Sequence, residues 1–379
     1  MKEKDIGVHM FRTCVVHLTP VEGSMQASAR VARWLATAMG VPLIDDAVSL
    51  DFFLHCISGH PDDKPGHRDV TVFFVNGPIA FCGFRDEMGS RLLPRVRRVV
   101  WVQQDYTITL PPNQAYSRPT KAETPFRAEF HKIPHVHLWS TCIDVLAKRQ
   151  DKQVPGCEYD EYFNWNALTY APMPKDWHQN GERLFEMNNG LFYYGALRAG
   201  RVRRLIELLG TNAPVTIGAS NLNARTAKEW ELIAPNAQLR GPTKGEARYV
   251  PTNRNTFGYS AVIPEIAMYR QSLYVADDES NTAFHSLANR FYEVLSTPLT
   301  VLWLDAAGAA TYDRAGLQGW ERFAVNNANH VATRLRMTNK ELTRMAEEQR
   351  ELWLSKDPYK QLKDQLKDIV KFVKKEWKI

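Results

Sequence analysis

Two kinds of side chain stand where chemistry could be done: arginines that open a helix, and carboxylates beside apolar runs. In Phe192-Tyr193-Tyr194-Gly195-Ala196-Leu197-Arg198-Ala199-Gly200-Arg201, a glycine closes an aromatic run and arginines follow it. Glycine lets the backbone turn closely, and a helix N-terminus offers unpaired N–H groups and the positive end of a dipole. Arg198 and Arg201 can fork onto a diphosphate there, because guanidinium geometry suits phosphate oxygens. The plainer reading is a capped helix with surface arginines, and Arg203 and Arg204, further along, read as surface residues.

Three carboxylates deserve the same attention. Glu293, in Asn289-Arg290-Phe291-Tyr292-Glu293, lies on a helix just before the apolar run Leu299–Leu304. A carboxylate so placed can accept hydrogen bonds from both hydroxyls of a ribose. Asp105 follows the run Val99-Val100-Trp101-Val102, where it can act as a base toward a hydroxyl or stabilise positive charge on a sugar ring. The loop Glu22-Gly23-Ser24 follows the first apolar run; Glu22 joins Asp105 as a catalytic candidate, and the backbone at Gly23 can approach a donor. Taken singly, each has a bland alternative: a loop cap, or a solvated side chain.

The elements that must position these residues are strands and helices in alternation. Thr13–Leu18, Val70–Val75, Val99–Val102 and His135–Ser140 read as strands of a first half, with a helix from about Gln26 to Met39. Pro172 and Pro174 mark the linker. Beyond it come strands at Gly190–Gly195, Val215–Gly218, Gln238–Gly241, Ser272–Ala276 and Leu299–Leu304, with helices at Arg198–Leu209, Ala224–Leu232 and Ala283–Leu295. Continuous rather than alternating apolar runs indicate strands covered on both faces, hence parallel sheets of doubly wound type. The expected division is 1–175, 176–335, and a helical tail 336–379 that packs back on the body through Leu362, Leu366, Ile369, Val373 and Trp377.

Composition narrows the classes. Hydrophobic residues at 44% and charged ones at 24% describe a globular chain of 379 residues. No run is long and apolar enough to span a bilayer, so no membrane partner is expected. Five scattered cysteines show no zinc-ligand spacing and, with no signal-peptide pattern, fit a reducing cytoplasm. His131, His135 and His137 lack companions to complete a zinc set, and Asp277-Asp278-Glu279 reads as a helix cap. The dinucleotide fingerprint, the phosphate loop and the hydrolase elbow are all missing from the sequence. A net charge of +6 permits a polyanionic partner without demanding one.

Together these residues resemble the GT-B glycosyltransferases, in which two Rossmann-like domains face each other across a cleft. The resemblance covers most of the chain outside Pro111–Pro174. It is most specific in Phe284–Leu295 followed by Thr297-Pro298-Leu299-Thr300-Val301-Leu302, similar to that family's glutamate-bearing helix before its last long strand. By that likeness Glu293 holds the nucleotide ribose, while Arg198 and Arg201 are the basic residues after the first strand of the second domain. The Glu22-Gly23 loop and Val102-Gln103-Gln104-Asp105-Tyr106 further resemble the α-type bacteriophage DNA glucosyltransferases. Met25 stands where that pattern has a second glycine, and Leu295-Ser296 where a small-residue–glycine pair is usual.

The resemblance implies transfer of a hexose, with retention, from a UDP-sugar to the hydroxymethyl group of a modified pyrimidine in DNA. Arg198 and Arg201 would neutralise the diphosphate without requiring a divalent metal, and no cofactor would be tightly bound. Arg91, Arg95, Arg97 and Arg98 would carry DNA phosphates, their alternative being a solvated helix. Two other functions fit the same residues: a GT-B enzyme with a saccharide, lipid or small-molecule acceptor, and a catalytically silent nucleotide- or DNA-binding module.

Overall fold

The apolar runs of the sequence become strands buried on both faces. The computed structural model describes residues 13–17, 27–45, 49, 70–75, 96–103, 135–140, 160–162, 165–177, 187–195, 199–210, 215–218, 237–240, 259–276, 287–354 and 358–377. Elements are numbered within those residues. The chain divides into two units, Met1–Leu168 with Tyr359–Ile379, and Thr169–Pro358.

The first unit holds β1 (Thr13–Val16), α1 (Ala27–Met39), β2 (Leu43–Ile44), β3 (Val70–Val75), β4 (Val96–Gln103), β5 (His135–Ser140) and β6 (Asp160–Tyr162). The strands are all parallel, in the order β2-β1-β3-β4-β5-β6. Every residue of β3 is buried, so its sequence shows no polar alternation. Trp139 of β5 is fully buried in this core. It packs 5.5 Å from Phe73 and 6.3 Å from Trp165, whose indole donates to the Trp139 carbonyl at 3.3 Å. β4 begins at Val96, ahead of its apolar run, which places Arg97 and Arg98 in a strand rather than on a helix.

The second unit holds β7 (Asn188–Tyr194), α2 (Ala199–Leu209), β8 (Val215–Gly218), β9 (Ala237–Arg240), α3 (Tyr259–Ala267), β10 (Tyr269–Tyr274), α4 (Asn289–Leu295) and β11 (Val301–Asp305). After these come α5 (Ala309–Arg314), β12 (Ala324–Val325), α6 (Ala328–Leu335) and α7 (Asn339–Leu354). The strands are again parallel, in the order β12-β11-β10-β7-β8-β9. The chain runs outward from β7 to β9, then returns to the other side of β7 as β10. That reversal makes the β7–β10 boundary a topological switch point, where the carboxyl ends of the strands open a crevice.

Polar groups inside this unit are matched over long sequence distances. β12 is short and leaves the backbone of Leu302 uncovered on that side, and the buried Gln349 of α7 fills the gap. Its amide accepts from the Leu302 N–H at 2.9 Å and donates to the Leu302 carbonyl at 2.6 Å. The Trp303 indole donates to Gln271 at 2.8 Å, and Gln271 in turn donates to the Asn189 carbonyl at 3.1 Å. Buried polar groups need such partners, because each one left unmatched costs about 1–3 kcal/mol.

Several expected boundaries move. The helix expected from Ala283 starts at Asn289, because Ala288 is still extended (φ −74, ψ 163). The strand expected from Leu299 starts at Val301. Between them the Thr297 hydroxyl donates back to the Val294 carbonyl at 2.7 Å and closes the helix. The tail forms two helices, α7 in the second unit and α8 (Pro358–Trp377) in the first. Leu366, Val370 and Val373 of α8 are buried. No helix among the described residues is long and apolar enough to cross a membrane.

Candidate binding site at the end of the second sheet

β7 and β10 run side by side and end at Tyr194 and Tyr274. Main-chain carbonyl oxygens at that edge are open to a charged donor. Arg290, from α4, supplies it. Its guanidinium donates to the Val275 carbonyl at 2.9 Å and the Tyr194 carbonyl at 3.4 Å, so it bridges the ends of both strands. The same group lies 5.8 Å from the Tyr193 ring centroid and 5.5 Å from that of Tyr274, within reach of cation–π attraction. Arg290 is only 8% exposed.

Gly195 makes this approach possible. Its φ of +151° is one that L side chains rarely adopt, and a Cβ there would come within 2.0 Å of Nη1 of Arg290. The glycine that turns the chain from β7 toward α2 is therefore also the floor on which the guanidinium lies. Arg201, in the first turn of α2, is buried.

Glu293 lies three residues after Arg290, so the two side chains share one face of α4. The carboxylate is buried, 3% exposed. The helix that carries both is fastened at each end. At its start the Ala288 N–H donates to the Tyr274 hydroxyl at 2.8 Å, and the Asn289 carbonyl accepts from Thr169 at 3.1 Å. At its end Ser296 donates to the Tyr292 carbonyl at 2.8 Å, while its own oxygens accept the backbone N–H groups of Ala171 and Met173. Arg350 of α7 completes the C-terminal cap. It donates to the carbonyls of Val294 (3.3 Å), Thr297 and Thr300 (3.0 Å), a cation where the helix dipole is negative. Burial lowers its pKa to about 10, which leaves it charged at neutral pH.

Arg204 is not the plain surface residue its position suggests. It forks onto Asp305 at the end of β11, with Nε at 2.9 and 3.0 Å from the two oxygens and Nη2 at 2.8 Å. Glu207 takes a further bond at 2.7 Å. The hydrogen bond to Asp305 raises the guanidinium pKa, against the opposing effect of burial. Asp305 also caps the following turn through the Ala307 N–H at 3.0 Å, and its carbonyl accepts from the Tyr312 hydroxyl at 2.9 Å. Arg203 is exposed.

Of the residues singled out from the sequence, Arg201 and Glu293 are thus placed in the second unit, on the helices that follow β7 and precede β11. Arg98 is half-buried in β4, its guanidinium 3.5 Å from the Thr71 hydroxyl. Arg97 lies in the same strand. Glu22, Gly23, Arg91, Arg95, Asp105 and Arg198 lie outside the described residues. Arg290 was the residue missed. Its signal was present as Arg-x-x-Glu on a short helix before a buried strand, but nothing local showed that its guanidinium reaches strands 96 and 15 residues away.

No family model matches the chain, and no curated protein matches its sequence. Among solved structures it is similar to the beta-glucosyltransferase (BGT) of phage T4 in complex with UDP and Mn2+. That match has a TM-score of 0.54 at 15% identity, covering 94% of this chain and 99% of that one. A variant of the same protein in complex with UDP-glucose gives 0.53, with the same identity and coverage. The likeness shows the fold: the chain has the GT-B architecture of paired parallel α/β sheets.

Proposed function

We propose that this chain is a glycosyltransferase that moves a hexose from a UDP-sugar to the hydroxymethyl group of a modified pyrimidine in DNA. One observation carries the donor half of this reading: Arg290 and Glu293 share a turn of α4 beside the switch point of the second sheet. A guanidinium at that place suits a diphosphate, and a carboxylate one turn away suits the two hydroxyls of a ribose. The likeness to a UDP-bound enzyme supports the same donor.

In this mechanism Arg290 is joined by Arg198 and Arg201, which are assigned to the diphosphate from the sequence. As the bond from sugar C1 to the diphosphate oxygen breaks, negative charge grows on the leaving UDP, and these cations stabilise it. The acceptor hydroxyl attacks C1 and loses its proton to Asp105, with Glu22 the second catalytic carboxylate. Arg91, Arg95 and Arg97 remain candidates for acceptor phosphates. The resemblance to α-type enzymes implies retention. A β-glucosyltransferase neighbour instead favours inversion, because a β-linked product from α-linked UDP-glucose requires one displacement at C1. The T4 structure contains Mn2+ with UDP. Among the described residues no three His, Cys, Asp or Glu side chains cluster to hold a metal. The five scattered cysteines fit action in a reducing cytoplasm.

The test is mass spectrometry of nucleosides from hydroxymethylated DNA treated with the protein and a panel of UDP-sugars. Gain of one hexose on the modified nucleoside is expected, with the anomeric proton coupling in NMR giving the stereochemical course. UDP release without any change in the nucleosides would move the acceptor elsewhere, and no UDP release with any acceptor would overturn the enzyme.

A further inference from the structure

The last helix carries a charge distribution that the donor site does not use. α8 contains six lysines against Asp364, Asp368 and Glu376, a net +3, half of the whole chain's +6. The lysines are not scattered. Lys360, Lys363, Lys367, Lys371 and Lys374 recur every three or four residues, the spacing that lines up side chains along one face. All five are exposed. At about 1.5 Å of rise per residue the row is roughly 20 Å long. Asp368 approaches Lys371 to 3.9 Å, both side chains being mostly exposed, so that pair adds little.

The helix also has an apolar stripe, through Leu366, Val370 and Val373, but that stripe is buried and α8 groups with the first unit. This separates two polyanionic partners. A basic amphipathic helix that binds a lipid surface must insert its apolar face, and here that face is already covered. A nucleic acid backbone asks only for cations in a row. Arg98, one of the arginines expected to meet DNA, is half-buried in β4 beside Thr71.

We propose that the lysine row of α8 binds the sugar–phosphate backbone of the acceptor DNA. This rests on the DNA-acceptor reading of the first unit, and names the surface that would hold the acceptor without reading its sequence.

The experiment measures binding of a short duplex containing hydroxymethylcytosine at several salt concentrations. It compares the full chain with Lys363→Gln/Lys367→Gln/Lys371→Gln and with the same three positions changed to Arg. Each phosphate contact contributes about 0.9 to the slope of log affinity against log salt, so the glutamine variant should lose about 2–3 units of slope. Its affinity should fall at least tenfold at low salt, the arginine variant should bind like the parent, and UDP binding should be the same in all three. An unchanged slope in the glutamine variant overturns the proposal. So does equal, variant-sensitive binding to phosphatidylserine vesicles, which would assign the row to a lipid surface. UDP titration judges the donor site independently: a parent that binds DNA through this row yet fails to bind UDP would break the donor reading alone.

Discussion

Arg204 and Arg290 both lie near strand ends of the same sheet, both are held by hydrogen bonds in the range of 2.7 to 3.4 Å, and they serve different ends. Arg204 reaches sideways to the end of β11 and is clamped by the Asp305 carboxylate, with which it forms a fork. Arg290 reaches the boundary between β7 and β10 and lies on main-chain carbonyls, two tyrosine rings and a glycine. Arginine content alone would not separate them. The strand end each one reaches does: the flank of the sheet is where helix is fastened to strand, and the switch point is where ligands meet this class of fold.

The largest effect that tests this contrast is on stability. Arg204→Ala strips the partner from Asp305, whose side chain is 2% exposed, and a buried carboxylate left without its cation costs about 3–5 kcal/mol. Urea denaturation should show that loss, with UDP affinity of the folded variant unchanged in calorimetry. A variant as stable as the parent would deny Arg204 its role as a fastener. Weakened UDP binding would instead merge the two arginines into one site.

The second effect is on affinity. In the proposed donor site Arg290→Ala would remove a charge-assisted contact to the diphosphate, and about 2–3 kcal/mol is expected for it, a loss of roughly 100-fold in UDP affinity. Arg290→Lys keeps the charge but not the fork that spans two carbonyls, and should recover only part. Glu293→Gln should weaken UDP and uridine alike, while Arg290→Ala should weaken UDP far more than uridine. Equal losses for both ligands in both variants would dissolve the division between phosphate and ribose.

What the sequence allowed to be read follows from what is local. Val70–Val75 and the core of Leu299–Leu304 announce themselves as buried parallel strands because their apolar runs are continuous, and the observed strands are buried throughout. The glycine turn before α2 and the placement of Glu293 on a helix before β11 were legible for the same reason: each depends on residues a few positions apart. The rest depends on distant partners. Asp305 gives no sign that Arg204 lies against it 101 residues away, and nothing near Gln349 in the sequence shows that it pairs with Leu302, 47 residues away. The early start of α4 failed because Tyr274, fourteen residues back, pins the N–H of Ala288 in extended chain. α3 was missed because Pro264 inside it is a helix-breaking signal. The arginines of β4 precede an apolar run, and only pairing with β3 and β5 extends the strand to include them.

The smallest effect is the most discriminating. Gly195→Ala adds one methyl to the floor beneath Arg290 and touches nothing of the Arg204–Asp305 clamp. The φ of +151° makes any Cβ strained, and the nearest guanidinium atoms stand at 2.0 and 3.1 Å from where it would be. The flexible end of Arg290 can swing aside, so the fold should survive at a cost of about 1–3 kcal/mol, typical of overpacking and a forced backbone angle. The guanidinium would then leave the carbonyls of Tyr194 and Val275, and UDP affinity should drop roughly tenfold, less than in Arg290→Ala because the charge remains nearby. In the double variant Gly195→Ala/Arg290→Ala the methyl has nothing left to displace, so its effect on UDP binding should vanish while its backbone strain persists. Additive losses in that cycle would mean that Gly195 acts on the ligand by itself and not through Arg290.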